Sequence, residues 1–180
     1  MNAKNLIAPI AALAIAAAVL FGASSALSGT AQSREEAARN EIMGYMLPGR
    51  PAAFTEEPYD GEDESIRRVF KAEDGYVLEL ETAGYAGPMM LWVGVTNEGR
   101  VSGLTVRDHG ETFGLGRGAQ TGVPFLIQFI GTSGEAAVGE NIDALTGATV
   151  TSKAVARAVN SAAAFVTGAD VSSGATEWEG

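Results

Sequence analysis

Residues 5–33 contain no charged side chain, and within that run Leu6–Ala23 is almost entirely Ala, Leu, Ile and Val. Coiled as an α-helix, such a run reaches about 27 Å, enough to cross a hydrocarbon core with little to spare. A buried core helix of this character would need far more partner surface than the rest of a 180-residue chain offers. The choice lies between a retained transmembrane anchor and a secretory signal peptide cut near Ser24-Ser25-Ala26. Lys4 and the amino terminus are the only positive groups before the run, a thin n-region, and the uncharged tract continues past the small residues. The expectation is therefore a retained anchor over residues 1–33.

Both readings place the remainder on the same side of the membrane. Lys4 precedes the run, and every acidic residue follows it, although Arg34 and Arg39 soften the asymmetry. From Arg34 onward there are 11 basic and 22 acidic residues, a net charge of −11. So acidic a domain does not hold a phosphate backbone by bulk electrostatics, and no nucleic-acid partner is expected. The chain has no cysteine and a single histidine, His109. Disulfides, thiolate-ligated clusters, c-type haem attachment and multi-histidine metal sites are excluded, and no metal site is expected. Chemistry must come from hydroxyls, carboxylates, backbone amides or a borrowed cofactor.

Residues 34–46 read as a helix with Ala37, Ala38, Ile42 and Tyr45 at helical spacing, stopped by Leu47-Pro48-Gly49-Arg50-Pro51. Six acidic residues between Phe54 and Glu64, with Pro58 and Gly61, predict a solvated loop. Strand signals follow. Tyr76, Leu78 and Leu80 alternate with Val77, Glu79 and Glu81, and residues 89–96 form an apolar run carrying Trp92. The turn Asn97-Glu98-Gly99-Arg100 returns the chain through residues 101–106 as a hairpin. Helices are predicted over 123–130, with Pro124 in the first turn, and over the Ala/Val-periodic 151–166. The fold class is α+β: a small curled antiparallel sheet with packed helices, preceded by one transmembrane helix. The expected division is anchor 1–33, helical and acidic connecting segment 34–74, a domain over 75–170, and a polar tail 171–180.

Two segments carry the chemistry. In His109-Gly110-Glu111-Thr112-Phe113-Gly114-Leu115-Gly116-Arg117-Gly118, alternating glycines permit close backbone approach to a ligand. There is no Walker lysine and no Rossmann spacing. The second is Asp143-Ala144-Leu145-Thr146-Gly147-Ala148-Thr149-Val150-Thr151-Ser152, immediately before the long helix. Its plain reading is an N-cap supplied by Thr151 or Ser152. A cap needs one hydroxyl, whereas this segment has four within seven residues and a preceding carboxylate. A helix N-terminus also offers free N–H groups and a positive dipole end, which suit a phosphate.

The Asp143–Thr149 segment, extended by Thr151 and Ser152, resembles the covalent-flavinylation motif of the FMN-binding domain family. The His109–Gly116 segment resembles that family's His-x-Glu-Thr-Pro-Gly-Leu-Gly loop, with Phe113 replacing the proline. The resemblance covers roughly residues 75–166 and is nearest to the G subunit of Rnf-type electron-transport complexes. The C subunit of the sodium-translocating NADH:quinone reductase is a more distant likeness.

The resemblance implies FMN joined by a phosphoester to Thr149 and attached by a separate flavin transferase. Asp143, Thr146, Gly147 and Ala148 would complete the recognised segment. Thr151 and Ser152 would contact the phosphate or cap the helix, and Glu111, Thr112, Gly114, Leu115 and Gly116 would line the flavin or hold its loop. It further implies flavin- and iron–sulfur-bearing membrane subunits as partners, and a place in the inner membrane with the domain on the extracytoplasmic side. No residue of this chain is expected to be catalytic, the redox chemistry belonging to the cofactor.

Plainer roles stand beside these: His109 as a solvent-facing strand end, Glu111 as a structural acceptor, Met89 and Met90 as packing, Arg117 as an exposed cation. Two other functions compete. One is a cofactor-free exported binding or adhesion domain; the other is a free-standing extracytoplasmic flavin reductase.

Overall fold

The computed structural model describes residues 33–109 and 122–169, and the chain divides into two compact units, residues 1–40 and 41–180. Of the first unit, residues 33–40 are described, and they are helical. No helix among the described residues is long and apolar enough to cross a membrane. The uncharged run at 5–32 and the tail at 171–180 lie outside the described residues.

The second unit is built on one antiparallel meander of β1 (Thr55–Glu57), β2 (Ile66–Ala72), β3 (Gly75–Ala83), β4 (Pro88–Thr96) and β5 (Val101–His109), paired in chain order. A short helix α1 (Val123–Leu126) runs into a 3-10 turn at Ile127–Phe129, and a long helix α2 (Thr149–Thr167) closes the unit. This is the expected α+β class.

Strand parity assigns the two faces. Leu78 and Leu80 of β3 and Leu91, Val93 and Val95 of β4 are buried in one core with Ala154, Val155, Ala158, Val159 and Ala162 of α2. Alanine at most of the contact positions lets the helix axis lie close to the sheet. Phe125 and Phe129 join the same core, edge to face at 5.2 Å. Asn160, 4% exposed, holds the loop above α2 by accepting from the Ala136 N–H at 3.0 Å and donating to its C=O at 2.9 Å.

A smaller core lies on the opposite face, where Met43, Met46 and Leu47 cover Phe70, Val77 and Trp92. The expected helix is present at 41–44, but its buried side differs from the predicted one. Ile42 and Tyr45 are 47% and 64% exposed, whereas Met43 is fully buried. The reason is a notch in the sheet. Gly94 and Gly103 are direct cross-strand partners, and a Cβ on either would lie 2.5–2.6 Å from Met46 backbone atoms. Two flexible thioethers and Leu47 fit over that notch better than Ile42 and Tyr45 would. Ser102 Oγ donates to the Met46 carbonyl at 2.7 Å.

β3, β4 and β5 match their predicted spans, with β5 continuing three residues to His109. β1 and β2 fall inside the stretch 34–74, which the sequence presents as a connecting segment, and β1 lies inside the predicted acidic loop. Glu56 and Glu57 of β1 face Arg68 and Lys71 of β2 in ion pairs of 2.7 and 3.3 Å. The acidic stretch thus contributes one edge of the sheet.

Candidate functional site

The polypeptide reaches α2 through a tight turn. Gly147 takes φ +75°, Ala148 takes φ −131° and ψ 40°, and the Ala148 N–H returns to the Leu145 carbonyl at 2.9 Å. The positive φ is one that glycine adopts without cost. The helix begins at Thr149, two residues before the predicted start, so the N-cap is Ala148, which has no side chain able to cap.

That shift changes what Thr151 and Ser152 do. Expected as caps or phosphate contacts, both are fully buried on the sheet side of α2. Ser152 Oγ accepts from the Leu145 N–H at 3.0 Å and donates to the Ala148 carbonyl at 2.9 Å. It staples the preceding turn to the helix. Thr151 Oγ1 accepts from the backbone N–H of Tyr85 at 3.4 Å, joining α2 to the β3–β4 turn. Neither residue is a cap. Starting the helix at Thr149 puts both in positions that rotate inward.

Asp143, Thr146, Gly147 and Thr149 are exposed, whereas Ala148 is buried. Thr149 is the first residue of a 19-residue helix whose first turn carries no acidic residue and no side-chain cap. The first-turn amides and the positive end of the summed helix dipole, worth roughly half a charge, lie at the end of α2 that carries the exposed Thr149. The donor set fits a phosphate monoester: uncapped N–H groups, no competing carboxylate in the first turn, and an accessible hydroxyl for covalent linkage.

Asp143 is held by its backbone. Its N–H donates to Gln128 Oε1 at 2.8 Å and its carbonyl accepts from Gln128 Nε2 at 3.4 Å, leaving the carboxylate in solvent. Sequence reasoning missed both Gln128 and Tyr85. The signal for Gln128 was a lone amide within the apolar run Val123–Ile130, and for Tyr85 an aromatic ring set among glycines.

The other motif begins at the last residue of β5. His109 pairs with Met89, near the start of β4, and the β3–β4 turn at that end of the sheet touches Thr151. The backbone thus brings the beginning of the His109–Gly118 motif to the sheet end that adjoins α2's first turn. Glu111, Thr112, Phe113, Gly114, Leu115, Gly116 and Arg117 lie outside the described residues. Met89 is fully buried in the core, as packing predicts.

Two shallow concavities among the described residues measure about 170 Å³ each. One, lined by Glu79, Met90, Trp92 and Arg107, lies on the face opposite α2. Small-molecule pockets typically measure ~300–1,000 Å³. Trp92 is filled in from both sides there, its Nε1–H donating to Glu79 at 2.8 Å and its ring covered by the Arg107 guanidinium at 4.0 Å. No cluster of three or more His, Asp or Glu among the described residues is placed to hold a metal ion.

Residues 84–164 match the family model for the FMN-binding domain. The chain is 39% identical over 99 residues to the G subunit of the proton-translocating ferredoxin:NAD(+) oxidoreductase complex of Clostridium ljungdahlii, covering 51% of this chain and 53% of that protein. It is 36% identical over 95 residues to the G subunit of the Na(+)-translocating ferredoxin:NAD(+) oxidoreductase complex of Acetobacterium woodii, covering 48% and 46%. The chain thus spans about half the length of each of these two relatives. Against the G subunit of the ion-translocating oxidoreductase complex of Pseudomonas aeruginosa, identity is 40% over 158 residues, covering 73% of this chain and 72% of that protein. With an FMN-binding domain and a relative matched over most of both lengths, this chain belongs to the G-subunit family of ion-translocating oxidoreductase complexes.

Proposed function

We propose that this chain is a membrane-tethered flavoprotein that relays electrons within an Rnf-type ion-translocating complex, with FMN held covalently on Thr149. The observation that carries the reading is the exposed Thr149 hydroxyl at the head of an uncapped α2. Attachment by a separate flavin transferase would leave Thr149 Oγ1 joined to the FMN phosphate. The phosphodiester left behind keeps one negative charge beside the helix end, favourable by about 0.3–1 kcal/mol.

When bound, FMN supplies the one- and two-electron redox chemistry. The chain's own residues hold it in place. Ser152 fixes the turn that leads into Thr149, Gln128 fixes the backbone of Asp143, and the first-turn amides of α2 are the donors available to the phosphate. Asp143, Thr146, Gly147 and Ala148 form the segment the transferase recognises. Glu111, Thr112, Gly114, Leu115 and Gly116 belong to the loop assigned to the ring.

Residues 1–33 serve as a single-pass anchor in the inner membrane, 34–74 as the connecting segment and 75–170 as the extracytoplasmic flavin domain. The neighbouring flavin- and iron–sulfur-bearing subunits give and take the electrons. Intact-mass analysis of the full chain, co-expressed with a flavin transferase, tests both ends at once. The expected product retains residues 1–33 and gains FMN less one water, and Thr149→Ala loses that gain. A full chain without added mass would defeat the flavin assignment, and a shortened one would defeat the anchor.

A further inference from the structure

Among the described residues six large apolar side chains are exposed: Ile42, Tyr45, Tyr85, Val123, Ile127 and Ile130. Of these, Tyr85 alone is hydrogen-bonded to the first turn of α2, through its backbone N–H and the buried hydroxyl of Thr151. Its turn is also closed on itself, the Gly84 N–H donating to the Gly87 carbonyl at 2.8 Å, and it follows directly on the Ala83–Pro88 pair that ends the β3–β4 ladder. The backbone at Tyr85 is therefore fixed with respect to Thr149, while its ring is 62% exposed.

The distance is short. Thr149 and Thr151 are two residues apart on a helix, about 5–6 Å between their Cα atoms. Adding the Thr151 side chain and the 3.4 Å bond to Tyr85 leaves its backbone within about 12 Å of the Thr149 Cα. A ribityl phosphate arm is of the same order in length. A rigidly mounted phenol ring within reach of a tethered aromatic heterocycle offers an offset-stacked or edge-on contact, and each such aromatic pair adds to what area burial supplies.

We propose that Tyr85 is a contact residue for the flavin ring, the protein's platform on the β3–β4 side of the site. This rests on the assignment of FMN to Thr149. Thr151 acts behind Tyr85 as a positioning residue, holding the turn against α2 while its own side chain stays buried.

The test uses the full chain in detergent, loaded by a co-expressed flavin transferase, with intact mass confirming equal FMN content in every sample. Flavin fluorescence lifetime and anisotropy are then compared among wild type, Tyr85→Phe and Tyr85→Leu. A phenol in contact quenches the excited flavin by lending it an electron that returns in the dark. Wild type is therefore expected to be strongly quenched. Tyr85→Leu should lengthen the lifetime several-fold and add a fast anisotropy decay from a freed ring. Tyr85→Phe should lengthen the lifetime, because benzene is a far poorer electron donor, yet keep the slow decay, because stacking survives. Should the leucine variant fail to fold, the phenylalanine variant, which removes one oxygen from an exposed ring, decides the matter. Equally loaded variants with the wild-type lifetime would overturn the role of Tyr85 and leave the attachment standing. Wild type without added mass at Thr149 would overturn the attachment itself.

Discussion

Gln128 grips the backbone of Asp143 from both sides, accepting from its N–H at 2.8 Å and donating to its carbonyl at 3.4 Å. The grip ties the 3-10 turn after α1 to the segment leading into α2, with no part in either core. Gln128→Ala should leave global stability nearly unchanged and loosen that segment alone. Loss of the shorter bond costs about 1 kcal/mol, which corresponds to roughly fivefold faster hydrogen exchange at the Asp143 amide. Exchange measured by mass spectrometry should show the change at residues 143–145, with α2 and β3 unaffected.

Ser152 is the costlier residue to lose, because its hydroxyl is fully buried and serves two backbone groups. Ser152→Ala strands the Leu145 N–H and takes a bond from the Ala148 carbonyl. The expected destabilisation is about 1–3 kcal/mol, read as a lower urea midpoint with an unchanged m-value. An unchanged midpoint would mean that water replaces the hydroxyl and that the turn is not stapled as described.

How much of this was legible in the sequence depends on whether local chemistry or a distant partner decides each element. β3 announces itself by its alternation, β4 by its apolar run and β5 by the polar turn that returns the chain beside β4. β2 does not. Its charges at Arg67, Arg68 and Lys71 break the period, and a register shift between Ile66 and Arg68 breaks it again. β1 is Thr55-Glu56-Glu57, a strand only because Arg68 and Lys71 stand opposite. At α2 the hydroxyls of Thr151 and Ser152 are strong cap formers by propensity, yet the glycine turn at Gly147 lets Ala148 start the helix and sends both inward. The Asp143–Thr149 motif is written in residue types and so carries its resemblance on the sequence alone, whereas Gln128 and Tyr85 emerge only when chain segments far apart in sequence are brought together.

The notch at Gly94 and Gly103 makes a sharp prediction about the outer face. A Cβ at Gly94 would lie 2.5 Å from the Met46 carbonyl oxygen, and one at Gly103 would lie 2.6 Å from the Met46 Cα. Backbone atoms cannot rotate away as a side-chain tip can. Gly103→Ala should therefore push residues 43–47 off the sheet, at a cost of about 1–3 kcal/mol. Trp92, 1% exposed, would become accessible, and its fluorescence should shift to longer wavelength while α2 remains docked.

Acid should find one weak point at Asp63. Burial opposes ionisation of this carboxyl, but hydrogen bonds from the Ser65 hydroxyl, the Ser161 hydroxyl and the Ser65 backbone N–H outweigh it and hold the group below the usual aspartate range. The Ser65 hydroxyl and N–H lie 2.6 and 2.9 Å from Oδ1. A carboxyl depressed on folding contributes stability that is complete above its unfolded pKa and is lost as pH falls through the folded one. Unfolding midpoints should therefore drop below about pH 4, and Asp63→Asn should flatten that drop while lowering stability at neutral pH. A variant with the wild-type pH profile would remove Asp63 from the account.

The uncapped end of α2 carries the most direct electrostatic prediction. With Ala148 at the cap position and no acidic side chain in the first turn, the described part of the helix end supplies none of the usual anionic complement of its own. If a phosphodiester on Thr149 supplies it, any fixed negative charge at that position should substitute in part. In the unloaded chain Thr149→Asp should raise stability by about 0.3–1 kcal/mol and Thr149→Lys should lower it by a similar amount. Thermal melts in low salt would show the two variants on either side of wild type, drawing together in 1 M salt as the Debye length falls to about 3 Å. The flavin-loaded wild type should melt above the unloaded one for the same reason. Aspartate and lysine shifting stability in the same direction would point to side-chain packing at Thr149 instead of charge, and the helix end would lose its claim on the phosphate.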